Sequence, residues 1–389
     1  MDLSQLVESL AEEDARSSAR WEADDVVRAR GRYTAAQIAE TANFLHELQR
    51  GRQPAHRFAE AMATSDFPLM FADVIDRQLL GYYKETTPTW QAYVKRSVVP
   101  DLRNVKRFAV DGAESELKPL EELEEYPQRK LEERKDEFHV GKFGARVDLS
   151  WETFINDDLD AFTRTPERLA RAARRTESKF ATRLWVDEKG PHAELYKAEF
   201  KNIIKDKEGK QPPLTIESLQ IAMVLLSEMV DFDEEPIATD LVTLVIPPAL
   251  EVVANNIMHA LTIDINSEGG SKEQRLRAQN WFQNKFQIQV EPYIPKIASK
   301  ENGNTMWSLF AEPNTSRPAL EMGFLRGNEE PALFERIPNS RRIGGGGGSP
   351  TESFEDDSRA WKTRHVLGGT RLTNTGGAKA TVASNGSGK

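Results

Sequence analysis

The sequence predicts an α+β fold, with strands and helices interspersed and no regular βαβ repeat. Three observations predict it. From Thr215 onward, Leu219, Ala222, Met223, Leu226, Met229 and Val230 recur at helical spacing, which gives a helix with one buried face. Leu241-Val242-Thr243-Leu244-Val245-Ile246 is a short apolar run stopped by Pro247-Pro248, the pattern of a buried strand. Phe143, Ala145, Val147, Leu149 and Trp151 alternate with Gly144, Arg146, Asp148 and Ser150, which predicts a strand covered on one face.

Composition sets the outer limits. A chain of 389 residues buries roughly three quarters of the surface it exposes when unfolded, enough for one large or several ordinary domains. It contains no cysteine, which removes thiolate nucleophiles, thiolate metal ligands and disulfides and fits an intracellular assembly environment. No apolar run approaches the ~20 residues that span a bilayer. Met1-Asp2-Leu3-Ser4-Gln5 also lacks the apolar core of a secretion signal, so a soluble protein with no membrane partner is expected. The net charge of −10 argues against a dedicated nucleic-acid binder, which needs a strongly basic face.

Along the chain, Leu3, Leu6, Val7 and Leu10 and then Ile38, Ala42, Phe44, Leu45 and Leu48 give amphipathic helix over residues 1–65, an N-terminal extension closed by Pro54 and the loop-like residues 63–68. Residues 66–110 start with a short helix, Leu69 to Tyr83. They continue as an extended arm through Trp90, Tyr93, Val98, Val99, Phe108 and Val110, whose apolar side chains are expected to find cover on neighbouring subunits.

Residues 111–137 hold Asp111, Glu114, Glu116, Glu121, Glu122, Glu124, Glu125, Glu132, Glu133, Asp136 and Glu137. Such a charge run is ordinarily a solvated loop. The alternating strand on its C-terminal side favours an extended hairpin over residues 111–150 instead. Thr165-Pro166 then supplies a helix cap and a first helical residue. Its apolar line Leu169, Ala172, Ala173, Phe180 and Leu184 is narrow, and Arg168, Arg171, Arg174, Arg175, Lys179 and Arg183 make the helix basic. This region, 151–211, reads as one domain and 212–343 as a second. The second includes a helix from Ala249 to Leu261 and strands at Phe286, Ile288 and Val290 and at Ala319 to Leu325. Gly344 to Gly348 reads as a hinge, 344–368 as a return to the first domain, and 369–389, rich in Gly, Ser, Thr and Ala, as a flexible tail.

No residues converge on a catalytic pattern. There is no Gly-x-x-x-x-Gly-Lys-Ser/Thr, and the six histidines are scattered without metal-ligand spacing. His46 or His56 with Ser65 lacks a nucleophile elbow or a third partner. Asp157-Asp158, Glu234-Glu235 and Asp356-Asp357 lie on polar loops with nothing to separate their pKa values. Trp90, Trp151, Trp185, Trp281, Trp307 and Trp361 are dispersed and read as packing anchors.

Taken in order, these segments resemble the major capsid proteins of tailed bacteriophages with the Hong Kong 97 fold, in particular the Mu-type major head subunit and its relatives. The likeness lies in Lys142-Phe143-Gly144-Ala145-Arg146-Val147-Asp148-Leu149-Ser150-Trp151-Glu152 with Ile155-Asn156-Asp157-Asp158-Leu159, and in Thr165-Pro166. It continues in Leu244-Val245-Ile246-Pro247-Pro248-Ala249-Leu250-Glu251 and in Phe354-Glu355-Asp356-Asp357 with Trp361-Lys362-Thr363-Arg364-His365, covering about residues 66 to 368. The resemblance implies an N-terminal arm, an extended E-loop hairpin, a peripheral domain with a long spine helix, and an axial domain. It implies no catalytic residue, no cofactor and no metal.

The implied function is self-assembly into pentamers and hexamers that form the icosahedral head shell around double-stranded DNA, contacted weakly and non-specifically. The implied location is the virion head, with assembly in the host cytoplasm; portal, scaffold and decoration proteins are the implied partners. On this reading Glu121, Glu122, Glu124, Glu125, Glu132 and Glu133 of one subunit meet Arg171, Arg174, Arg175 and Arg183 of a neighbour. Another phage head structural protein, decoration or portal-associated, is the alternative, and an enzyme with an unreadable site the remoter one. Some family members join a hairpin lysine to an asparagine with the help of a buried acid; Lys118 and Lys130 lie in the hairpin and Asn339 in the later half, and no such lysine, asparagine and acid trio is identified. The first 65 residues are a scaffold-like segment removed on maturation, a retained arm, or a helical element that meets the genome through Arg28, Arg30 and Arg32.

Overall fold

The computed structural model describes residues 35–49, 67–111, 132–149, 165–231, 237, 241–260, 262–266, 275–280, 285–315, 317–336, 353 and 359–386. The first elements are α1 (Ala35–Gln49), α2 (Phe67–Glu85), β1 (Lys95–Val99), β2 (Val105–Asp111), β3 (Glu132–Phe138), β4 (Val140–Leu149) and the long helix α3 (Thr165–Trp185). There follow β5 (Val186–Asp187), β6 (Gly190–Pro191), α4 (Ile216–Ser227), β7 (Val242–Ile246), α5 (Glu251–His259), β8 (Thr262–Asn266) and β9 (Arg275–Gln279). The last are β10 (Phe286–Val290), α6 (Ile294–Ile297), β11 (Trp307–Ala311), β12 (Leu320–Leu325), β13 (Ala332–Glu335), β14 (Arg359–Arg371) and β15 (Thr381–Ser384). The chain divides into two compact units, one of residues 1–87, 142–176 and 327–366, the other of 88–141, 177–326 and 367–389.

The second unit is built on a four-stranded sheet of order β10-β7-β11-β15. Every residue of β7 is buried, as its uninterrupted apolar run requires, and Pro247-Pro248 ends it because proline has no amide to give the ladder. The predicted helix at 215 is α4. Its cap is reciprocal: the Ser218 amide donates to Thr215 Oγ1 at 3.1 Å and the Thr215 amide to Ser218 Oγ at 2.8 Å. Leu219, Ala222 and Leu226 pack with Leu244, Ile246, Trp307 and Val382, while Met223 is half-buried and Val230 exposed.

A second core cluster in this unit overturns the expectation of an apolar arm seeking cover on neighbours. Trp90, Tyr93 and Val99 are 1%, 1% and 0% exposed within their own chain. The Tyr93 ring lies 5.2 Å from that of Phe310 and 6.0 Å from that of Trp185, centroid to centroid. β1 pairs in parallel with β12, from Lys95↔Glu321 to Val99↔Leu325. The partners are supplied 90 to 230 positions further along, where local periodicity has no view of them. Val98, Leu102 and Phe108 do stay exposed, at 43%, 45% and 59%.

The expected flexible tail is also corrected. β14 runs through Arg371, and β15 pairs antiparallel with β11 from Trp307↔Ser384 to Phe310↔Thr381. Small residues there reflect close packing. A Cβ on Gly377 would collide with the carbonyl oxygens of Pro318 and Leu372, and Gly386 has a φ of 66° in the left-handed region. Truncation after Leu372 removes β15 and opens both clusters. The shortened chain is expected to be insoluble or unfolded; an unchanged thermal midpoint would restore the tail.

In the first unit, α1 packs on α2, and Leu79 and Tyr83 of α2 meet Leu169, Ala170 and Ala173 of α3, with Val147 and Leu333 against them. β13 pairs with the first half of β14, Ala332↔Arg364 to Glu335↔Trp361. β4 is the strand predicted from its alternation; Phe143 is 36% exposed and Ala145 exposed, while Val147 is half-buried against the α2–α3 cluster. The proposed hinge Gly344 to Gly348 lies outside the described residues.

Candidate assembly interface

β2 and β3 form an antiparallel hairpin in register from Val105↔Phe138 to Asp111↔Glu132. It leads into and out of the acidic segment. Residues 112–131, with Glu121, Glu122, Glu124 and Glu125, lie outside the described residues. Glu132 sits opposite Asp111 in the ladder, and Glu133, exposed, opposite Val110. Two-residue alternation puts Lys106, Phe108, Lys135 and Glu137 on the outer face. There Lys135 Nζ lies 3.1 Å from Glu137 Oε1 and holds that carboxyl below its ordinary value.

α3 starts at Thr165-Pro166, as the sequence predicts. Arg168, Arg171, Arg175, Lys179 and Arg183 are all exposed, at spacings of three or four residues, so they form one basic stripe along the helix. Arg171 is ion-paired with Glu167 one turn earlier, with its own side chain 59% exposed. Arg174 stands apart. Its Nε donates to the Tyr83 carbonyl at 2.9 Å and its guanidinium lies 3.5 Å from the Tyr83 ring centroid, so it secures α3 to α2 within the first unit. Of the four predicted arginines the helix therefore brings Arg171, Arg175 and Arg183 onto one face. Arg168 and Lys179 join them, a grouping that helical spacing alone would have found.

At the C-terminal end of α3 a cavity of about 450 Å³ is lined by Arg183, Val186, Asp187, Glu188, His192, Ile297, Ala298 and Ser299. Its charges are mixed. His192 Nε2 lies 2.8 Å from Arg371 Nη2, and burial followed by this guanidinium lowers the pKa of the ring. Among the described residues, no group of three or more metal-ligating side chains is found, and no helix is long and apolar enough to cross a membrane.

One buried acid was not anticipated. Glu291 accepts from Thr89 Oγ1 at 2.6 Å, Tyr93 Oη at 3.3 Å and the Tyr293 amide at 3.3 Å. Burial raises its carboxyl above the ordinary value, partly opposed by these hydrogen bonds. Because the folded value lies above the unfolded one, the stabilising contribution is complete below the unfolded value and is lost as pH rises through the folded one. Glu291→Gln is expected to flatten the fall of the thermal midpoint as pH rises above the ordinary carboxyl range. Equal slopes in the two proteins would count against this.

Comparison with known proteins places the chain. The family described as "Phage capsid protein" matches residues 134–380. No curated protein sequence matches significantly. Among solved structures, the capsid of Ralstonia phage GP4 is similar at 9% identity, over 76% of this chain and 87% of that one, with a TM-score of 0.46. A structure from Microbacterium phage Oxtober96 is similar at 12% identity, over 77% and 91%, with a TM-score of 0.45. The SrpI encapsulin of Synechococcus elongatus PCC 7942 is similar at 10% identity, over 78% and 89%, with a TM-score of 0.43. The family match runs from within β3 to the turn before β15, well over half of the sequence, and the chain therefore belongs to the phage capsid protein family, as a capsid shell protein.

Proposed function

We propose that this capsid protein is the major head subunit of a tailed phage with the Hong Kong 97 fold, and that it assembles as pentamers and hexamers into a closed icosahedral shell around double-stranded DNA. The observation that carries the reading is the family membership over residues 134–380. The hairpin and the basic stripe supply the contact. The acidic segment of one subunit lies over α3 of a neighbour, with Glu121, Glu122, Glu124, Glu125, Glu132 and Glu133 facing Arg168, Arg171, Arg175, Lys179 and Arg183. Arg174 has a smaller share because Tyr83 already holds it.

Exposed ion pairs of this kind contribute ~0.2–1 kcal/mol each, so opposite charge sets register and repetition supplies strength. Phe108, 59% exposed on the outer face of the hairpin, is an apolar anchor for the same contact. The role is structural, and DNA is met weakly through phosphates. Portal, scaffold and decoration proteins are the further partners in a head assembled in the host cytoplasm. Electron microscopy of the purified protein tests the reading. Large closed shells are expected; small discrete rings would instead indicate a portal-associated component, and a monomer at all concentrations would contradict it.

A further inference from the structure

β2 and β3 form a two-stranded sheet of their own. Such a hairpin is marginally stable alone, so something other than its ladder must hold it in one direction. Arg107 and Asp136 lie opposite each other in register on its inner face, and each reaches a different element. Arg107 Nε donates to both carboxylate oxygens of Glu321 in β12, at 2.8 and 3.0 Å, and Nη2 lies 2.6 Å from Oε1. Asp136 accepts the Asn374 amide at 3.2 Å through Oδ1, and the Thr375 amide at 2.9 Å and Thr375 Oγ1 at 2.8 Å through Oδ2. Asn374 Nδ2 donates in return to the Lys135 carbonyl at 3.3 Å. Both Asp136 and Glu321 are buried.

The open end of the hairpin is fitted as closely. A Cβ on Gly323 would lie 2.7 Å from Cε2 of Phe138, so that ring rests directly on the β12 backbone. Where the chain leaves the hairpin, a Cβ on Gly368 of β14 would collide with the His139 carbonyl oxygen. The anchors thus lie on three separate elements, β12, β14 and the turn at 374–375.

We infer that Arg107 and Asp136 are positioning residues that fix the direction in which the hairpin leaves its unit, with the Asn374-Thr375 turn as the latch that holds Asp136. This rests on the hairpin being the intersubunit contact proposed above. The consequence is geometric. At ~3.3 Å per residue a seven-residue strand reaches ~20 Å, so a swing of ~10° at its base moves its far end by ~3–4 Å, comparable with an entire ion-pair distance. The clamp therefore decides whether the acidic segment reaches a neighbour in register.

The chain has no cysteine, so two can be introduced for spin labels without background. Lys106→Cys on the hairpin and Glu251→Cys on α5 are exposed positions in the same unit. Labelled chains are diluted with unlabelled ones so that only distances within one chain are read. The parent is expected to give a narrow distance distribution, and Asp136→Ala one broader by about twofold, with closed shells lost or irregular. Thr375→Val, which removes one donor and keeps the packing, is expected to broaden it less and to leave the thermal midpoint near that of the parent. Unchanged widths in both variants overturn the clamp. Broadened widths with regular shells overturn its role in assembly. A parent that forms no shells overturns the proposed function and that assembly role with it, while the widths still decide whether the clamp sets direction.

Discussion

Replacing Arg171, Arg175 and Arg183 together with glutamate is expected to abolish closed shells while leaving the subunit folded, with a thermal midpoint close to that of the parent. All three are exposed on α3 and none lies in its buried face. The cost to the isolated subunit is confined to pairs such as Arg171 with Glu167, worth ~0.2–0.5 kcal/mol. On the proposed contact, the same change is expected to turn attraction into repulsion against the acidic segment, and the effect recurs at every copy. Arg174→Glu behaves differently. It loses a charge-assisted hydrogen bond worth ~1.5–3 kcal/mol and the contact with the Tyr83 ring, so it is expected to lower the midpoint of the subunit itself. Thermal unfolding and particle counts by electron microscopy separate the two outcomes. Normal shells from the triple variant would remove the stripe from the interface.

Trp90→Ala is expected to destabilise the subunit by about 3–5 kcal/mol, the range for deleting a large buried aromatic side chain. Trp90 is 1% exposed, stacks on Phe324 with ring centroids 5.9 Å apart, and donates through Nε1 to the buried Glu177 at 3.2 Å. Truncation leaves both a cavity and a carboxylate short of a donor. That loss is a large part of the ~5–15 kcal/mol that holds a typical domain together. Denaturant unfolding measures it. A change of only a few tenths of a kcal/mol, with assembly impaired, would mean that this segment serves neighbours after all.

These variants mark where the sequence was legible and where it was not. α4, β7 and β10 were readable because each carries its own period and its own stop: the Thr215 cap, the Pro247-Pro248 break, and the alternation of Phe286, Ile288 and Val290. The start of α3 at Thr165-Pro166 was readable for the same reason. Burial of Trp90 and Tyr93 was not, since Phe310 and Phe324 come from more than 200 positions away and no local pattern announces them. β15 was hidden by composition. Thr381, Val382, Ala383 and Ser384 resemble linker residues until their pairing with β11 shows that small side chains are what the packing admits.

At the candidate interface, residue type identified a basic helix, but only the structure separated Arg174, turned onto Tyr83, from the exposed stripe. The clamp at the hairpin had no sequence signal. Asp136 and Glu321 look like any other acids on a charged chain until Thr375 and Arg107 are found beside them.

Carbodiimide crosslinking of assembled particles tests the central claim most directly, because Lys179 places one amine in the middle of the basic stripe. Shells built from a mixture of isotopically light and heavy chains allow mass spectrometry to tell bonds between subunits from bonds within one. Mixed-isotope crosslinks joining Lys179 to Glu121, Glu122, Glu124 or Glu125 are expected. Intact shells in which Lys179 crosslinks to these residues only within a single chain, or in which they crosslink to other regions alone, would contradict the account.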